Sequence, residues 1–432
     1  MIALFVLLAL GGLMHAAGSF AAAGHPGSTE LAFGFLLLCA YFTARLVSRV
    51  GLPRLTGYLA SGILVGPYAL GLVAKPMTAQ LSLVGGTATA ILALTAGAEL
   101  NLKVVRPLLP VVFRVTAWTM GGTPIALTAS LLALRPMVPF LDALPLGAAV
   151  AVALALAITL SAHSPAVVMA LIGETGAEGP LTRTVLASVV VGDLVVIIAF
   201  GVAMSVATAM LGGGIDLGAT IGGLAWSVLG SIAVGLFIGV VLGAFLRYVS
   251  RGVGLFAVML CLLIAEVGGA LHLDTLIIAL TAGLWLENGS KADARALLAG
   301  FEAASLPVYL VFFALAGVKL DLVKLAALAA PVFALVAVRA LGFFSGSRLG
   351  TRGPAVDPLV RRLAWLGLLP QAGLALALAE LVRRSFPGFG DAAFALVLGV
   401  VATNELVMPV ILRVAFLRSG EAGKRAPVSG GH

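Results

Sequence analysis

The sequence predicts an all-α polytopic membrane protein. It has about thirteen transmembrane helices in two inverted six-helix repeats with two crossing broken helices, preceded by an additional N-terminal helix or a signal peptide. Three observations carry this prediction. The chain of 432 residues is 61% hydrophobic and only 10% charged, whereas a soluble domain carries about 25% charged residues. Apolar stretches long enough to cross a hydrocarbon core of about 30 Å recur along its length. Two of those stretches are interrupted by proline at matching places in the segment order.

Taken from the N-terminus, residues 2–20 form a first apolar run that ends in AAAGHPGS. It has the length and small-residue exit of a signal peptide but lacks the basic n-region, so residues 1–29 read as either a signal or one more helix. Thirteen segments follow, at 30–50, 53–73, 78–100, 108–134, 145–172, 181–210, 219–246, 253–272, 274–288, 303–318, 326–349, 360–384 and 392–417. Residues 30–418 thus make one membrane domain, and 419–432 form a basic tail. If the loop at 50–54 is cytoplasmic and the sides alternate, most of the 26 Lys and Arg fall on the cytoplasmic side. That asymmetry predicts a multi-pass inner (plasma) membrane protein with a cytoplasmic C-terminus. The net charge of +8 comes from basic residues scattered in ones and twos, which reads as topology and not as nucleic-acid binding. Cys39 and Cys261 lie in apolar stretches without a CxxC or a His cluster, so neither a disulfide framework nor a metal site follows from them. Gly235, Gly239 and Gly243 have the spacing of a close helix contact.

The candidate chemistry lies at membrane depth. Asp193, in SVVVGDLVVIIAF, sits about 18 Å into its segment at 1.5 Å per residue. Arg339, Gln371 and Glu405 fall near the middles of their segments, and Glu266 past the middle of its own. A charge at the bilayer centre costs about 2.5–3.5 kcal/mol, and such residues mark ion or proton paths. An Asp–Arg pair that only locks helices together is the competing reading for Asp193 and Arg339. For Glu266 and Glu405 the alternatives are a bond between helices or snorkelling to an interface.

The fifth segment contains ITLSAHSPAVV, where Pro165 removes a donor and Thr159, Ser161, His163 and Ser164 crowd together; the twelfth contains LGLLPQAGLAL, where Pro370 and Gly373 flank Gln371. With the seventh segment as a linker between two halves, segments five and twelve correspond. Interrupted segments at corresponding places point to the binding site of an inverted-repeat transporter. Their crossing would offer free carbonyls and opposed half-helix dipoles to a cation. On the same map Asp193 corresponds to Glu405. His163 is either a proton carrier or ligand, or a hydrogen-bonding partner.

Other motifs carry no chemistry. GFGDAA at 388–393 follows no strand, and Asn288-Gly289-Ser290, on the predicted cytoplasmic side, is an unused glycosylation sequon. P-loop, HExxH and GxSxG motifs are missing from the sequence, so no cofactor or enzymatic activity is expected and an ion gradient would drive transport.

Several stretches in order resemble the monovalent cation:proton antiporter superfamily, in the branch of bacterial sodium/proton exchangers and glutathione-regulated potassium efflux proteins. They are GLPRLTGYLASGILVGP (51–67), ALTAGAELNLK (93–103), SAHSPAVVMALIGETG (161–176), VVVGDLVVI (190–198), VAVRALGFF (336–344), WLGLLPQAGLALALAEL and TNELVMPVILR. The resemblance covers about residues 30–418. It implies that Asp193 binds both ion and proton, that Arg339 competes for it or holds the site, and that Ser161, His163, Ser164 and Gln371 line the crossing. It also implies a homodimer. Two positions depart from the family pattern: Gly192 precedes Asp193 where other branches carry a second acid, Asn or Gln, and His163 stands where Ser or Thr is usual. With one acid, and an Arg that does not readily deprotonate, electroneutral exchange of one proton for one Na+ or K+ is the expected reaction. A proton- or sodium-coupled symporter of an organic solute and a cation channel remain as alternatives.

Overall fold

The computed structural model describes residues 12, 28–73, 82–211, 222–223, 225–249, 252–271, 273–290, 292, 294–318, 328–353, 356–371 and 373–424. Nearly all of the stretch read as a signal or extra helix lies outside the described residues, as do Lys75, Lys291, Lys319 and Lys324 and residues 425–432. Among the described residues the chain is helical, with no strand. The main helices are α1 (Ser28–Arg49), α2 (Arg54–Val65), α3 (Ser82–Glu99), α4 (Leu109–Ala133), α5 (Leu146–Leu160), α6 (Pro165–Thr175), α7 (Pro180–Met210) and α8 (Ser231–Tyr248). They continue with α9 (Val253–Leu271), α10 (Thr275–Asn288), α11 (Ala294–Val318), α12 (Ala329–Gly350), α13 (Pro358–Gly367), α14 (Gly373–Ser385) and α15 (Gly390–Ser419).

Every one of the thirteen predicted segments contains helix. Among the described residues seven spans are long and apolar enough to cross a membrane: most of α1, α5 with α6, α7, α8 with its short lead-in, α9, α12 and α15. α10 and the second half of α11 are apolar but shorter. The helix ends follow local chemistry. Asp274 caps α10 by accepting from the Ile277 amide at 3.0 Å, and Asp357 caps α13 through Leu359 at 2.7 Å. Proline opens α6, α7 and α13, where its missing N–H would have had no helical partner.

The chain divides into two compact units, each assembled from an early and a late stretch. The first contains α1–α3 and α8–α11. Its helices meet through glycine at two reciprocal contacts. A Cβ on Gly62 of α2 would overlap the Ala314 carbonyl of α11, and one on Gly317 the Leu59 carbonyl. Gly97 of α3 and Gly283 of α10 stand in the same relation to Leu280 and Leu94. Without a hydrophobic drive between helices in lipid, such close backbone approach supplies the contact energy. The Gly235, Gly239, Gly243 row of α8 packs likewise, facing Ile278, Ala282 and Ser290. Asn288 of the sequon donates its amide to the carbonyls of Leu100 and Leu284, both at 2.9 Å.

The second unit contains α4–α7 and α12–α15, which are predicted segments four to six and eleven to thirteen. In each triplet a broken segment lies between two continuous ones. α4 and α12 run antiparallel, since Gly342, Gly346 and Gly350 lie against Thr123, Thr119 and Val115. Beyond α15 the chain reverses at Gly420, whose φ of 68° is left-handed, and returns to the start of α7. There the Glu421 carboxylate accepts from the amides of Leu181 and Thr182, both at 2.8 Å, and from the Thr182 hydroxyl at 2.7 Å. Gly423 donates to the Thr175 carbonyl at the end of α6, at 2.9 Å. An anion on the first-turn amides of a helix is favoured by unsatisfied donors and dipole together.

Glu421→Ala leaves two buried amides of α7 without acceptors, an expected loss of about 1–3 kcal/mol. It should appear as a lower melting temperature in detergent and faster amide exchange at Leu181 and Thr182. Unchanged exchange at those two amides would mean that the carboxylate does not hold this turn.

Candidate functional site

Both interruptions predicted from the prolines are present, and both lie in the second unit. α5 ends as the amides of Ser161 and Ala162 turn back to Ile158 and Thr159, and α6 restarts at Pro165 with the Ser164 hydroxyl accepting from Val167 at 3.2 Å. α13 ends with the Leu368 amide on Trp365, and α14 restarts at Gly373, after Pro370 and Gln371. The Thr159 and Ser161 hydroxyls donate to the carbonyls of Ala155 and Ala157, at 2.9 and 2.8 Å. Such back-bonding satisfies polar side chains inside an apolar helix.

Three of the carbonyls at the crossing, those of Leu160, Ala162 and Leu369, are not free. Arg339, 1% exposed on α12, donates Nε to the Leu160 carbonyl at 2.7 Å, Nη2 to Ala162 at 2.8 Å and Nη1 to Leu369 at 2.6 Å. Gln371 adds a second donor to Leu160 at 3.0 Å, and its own carbonyl accepts from Asn404 at 2.8 Å. The cause is the supply of oxygens: two helix ends at membrane depth present carbonyls that no water can reach, and a planar guanidinium carries five donors. Its positive charge also meets the negative ends of two half-helices. The guanidinium carbon lies 4.6 Å from the centre of the Phe343 ring, a cation–π contact.

Asp193 is 2% exposed on α7. Its Oδ1 accepts from the His163 amide at 2.8 Å and lies 3.2 Å from His163 Nδ1. Its Oδ2 is buried with no hydrogen-bond partner among the described residues, and so are His163 Nε2 and Asn404 Oδ1. The imidazole is held between two surfaces. On one side the ring centre is 5.1 Å from that of Phe343. On the other it covers Gly192, where a Cβ would come within 2.5 Å of His163 Cε1. The two departures from the family pattern, Gly192 and His163, are therefore one feature: the ring occupies the space of a side chain at position 192.

The structure therefore brings together Asp193, His163, Arg339 and Gln371, with Ser161 and Ser164 in the break itself. Thr159 lies in the last turn of α5, next to the break. Glu405 is buried on α15 beside Asn404. Glu266 belongs to the first unit, on an exposed face of α9. Sequence reasoning passed over Asn404 and Phe343, although Arg339 and Phe343 share a helix face at i,i+4 spacing. Among the described residues no group of three or more His, Cys, Asp and Glu could hold a metal ion. The site presents instead one buried carboxylate oxygen, Asp193 Oδ2, without a partner among the described residues.

The family model described as "Sodium/hydrogen exchanger, transmembrane" matches residues 34–418. Among solved structures, the sodium proton antiporter MjNhaP1 from Methanocaldococcus jannaschii at pH 8 is similar at a TM-score of 0.68 and 15% identity, over 90% of this chain and 99% of its own. An electron-microscopy structure of MjNhaP1 gives 0.67 and 16%, over 91% and 96%. These identities express a shared fold. No curated protein matches the chain in sequence.

Two outcomes test this geometry. Arg339→Leu strands the buried carbonyls of Ala162 and Leu369 and leaves Leu160 with Gln371 alone, at about 1–3 kcal/mol for each stranded group, so little folded protein should survive extraction into mild detergent. Gly192→Ala forces the confined ring to move, an overpacking cost of about 1–3 kcal/mol. Adding His163→Ser to Gly192→Ala should raise the melting temperature again; a double variant no more stable than Gly192→Ala alone would remove the interlock.

Proposed function

The chain belongs to the sodium/hydrogen exchanger family, and we propose that it carries out its cation:proton antiport through a single shared carboxylate, Asp193, exchanging one proton for one sodium ion. The observation that supports this reading is the Asp193 carboxylate itself, buried beside two helix breaks, with Oδ1 engaged by His163 and Oδ2 without a partner among the described residues. A proton or a cation on Oδ2 neutralises the carboxylate. The ionised empty site is costly at membrane depth, so the unit bearing it changes access only when loaded, and that condition couples the two fluxes. Arg339 has no share in the exchange on this reading, since its donors hold three carbonyls. One acid that gains a proton in one state and a cation in the other carries the same charge in both, which makes the exchange electroneutral.

Sodium is favoured by membership of the sodium/hydrogen exchanger family and by the likeness in fold to the sodium proton antiporter MjNhaP1. The basic-residue asymmetry favours an inner-membrane protein with its C-terminus in the cytoplasm, and the family resemblance favours a homodimer. The order of continuous and broken segments in the second unit is the arrangement that an inverted repeat produces.

Proteoliposomes with a trapped pH dye and an imposed pH gradient test the reading when sodium, potassium and lithium are added in turn. The expected result is sodium-dependent proton movement that is lost in Asp193→Asn, does not respond to membrane potential, and needs more sodium as pH falls, because protons then occupy the carboxylate. Flux unchanged in Asp193→Asn would overturn the assignment. Cation flux independent of the proton gradient would identify a channel, and silence with all three cations beside gradient-driven uptake of an organic solute would identify a symporter.

A further inference from the structure

We propose that one end of the second unit binds the phosphate of an anionic phospholipid whose acyl chains lie along the outer face of α4. The antiparallel register of α4 and α12, with Gly350 against Val115, brings the turn after α12 beside the second turn of α4. Arg114 of α4 donates Nη1 to the carbonyl of Arg352 at 3.1 Å and Nε to that of Pro110 at 3.1 Å. From α13, Arg361 donates Nη2 to the carbonyl of Gly353, the next residue of the same turn, while its Nε is buried without a partner. Two guanidinium groups thus converge on adjacent carbonyls, and the side chains of Arg352 and Arg362, their sequence neighbours, are exposed, as is Arg348, whose guanidinium carbon lies 5.2 Å from the centre of the Phe344 ring.

Among the described residues none of these five arginines has a carboxylate partner, whereas elsewhere in the unit Arg183 pairs with Glu178, Arg135 with Asp142, and Arg383 and Arg384 with Glu380. Asp357, close by in sequence, accepts from the Leu359 amide at the start of α13. Positive charges gathered without an acid repel one another, and an anion that takes several guanidinium donors at once relieves the repulsion. Phosphate suits the fork geometry of arginine.

The face of α4 below the charges points to a lipid and not to a soluble ion. One turn on from Arg114 is Trp118, 52% exposed, followed at helical spacing by Gly121 with open space around it and Ile125, 69% exposed. The surface is basic at the helix end and apolar directly beneath, the profile of an amphiphile with an anionic head, and tryptophan favours that boundary.

The test uses the full chain reconstituted in vesicles of equal parts phosphatidylglycerol and phosphatidylcholine, with retained lipid read by native mass spectrometry. Wild type should retain phosphatidylglycerol preferentially. Arg352→Gln with Arg362→Gln, which alters only exposed side chains, should lose about fivefold in that preference per arginine, since a basic residue near an anionic surface contributes about 1 kcal/mol. Arg114→Gln should lower it further, and Arg135→Gln, at the paired arginine, should leave it unchanged. Equal retention by wild type and the double variant would overturn the proposal. So would a rise in melting temperature with inorganic phosphate that phosphatidylglycerol does not reproduce, since the site would then take a soluble anion.

Discussion

The guanidinium of Arg339, bonded to the carbonyls of Leu160, Ala162 and Leu369, is the contact on which the rest of the site-bearing unit depends. An interrupted helix inside a membrane exposes carbonyls that neither lipid nor the helix itself can satisfy. Two such interruptions meet here, and one side chain answers both. A lysine, with a single nitrogen on a flexible stem, could not span three acceptors drawn from two segments. The positive charge therefore lies among the carbonyls of both breaks, and the buried carboxylate oxygen without a partner among the described residues falls on the next helix, at Asp193.

His163 makes that arrangement possible. Its amide and ring both face Asp193 Oδ1, which fixes the carboxylate and leaves Oδ2 as the open oxygen. The ring fits only because residue 192 has no side chain and Phe343 closes the other side. Phe343 also underlies the Arg339 guanidinium, so one aromatic ring positions both the cationic clamp and the imidazole. A buried carboxylate with one unanswered oxygen lowers stability, and proteins keep such groups where function requires them.

Packing around the site follows from small residues. Glycines on α12 bring it against α4, and glycines in the first unit let the helix pairs α2–α11 and α3–α10 approach backbone to backbone. The Glu421 carboxylate ties the end of the chain to the first turn of α7, the helix that carries Asp193. Each of these contacts joins stretches far apart in sequence, which is how two units interleaved along one chain each hold together.

Composition and hydropathy by themselves determined the class of the protein and the helical character of all thirteen segments, because the cost of unpaired backbone in lipid leaves an apolar chain of this kind little besides helix. Pro165 and Pro370 marked both breaks, since a missing N–H acts within one turn of its own residue. The lone carboxylate at position 193 was also visible, because a charge in a run of valine and isoleucine needs no partner to be noticed. The tertiary structure decided what each polar group does. Arg339 reaches carbonyls 179, 177 and 30 positions away, so nothing in its own segment could show that it would occupy the oxygens expected to receive a cation. Gly192 read alone is a departure from a pattern, and only the His163 ring folded over it, from 30 residues away, gives it a reason. Local steric and solvation rules act over a few residues and can be read in sequence; hydrogen-bond partners are chosen by whichever backbone the fold brings within about 3 Å.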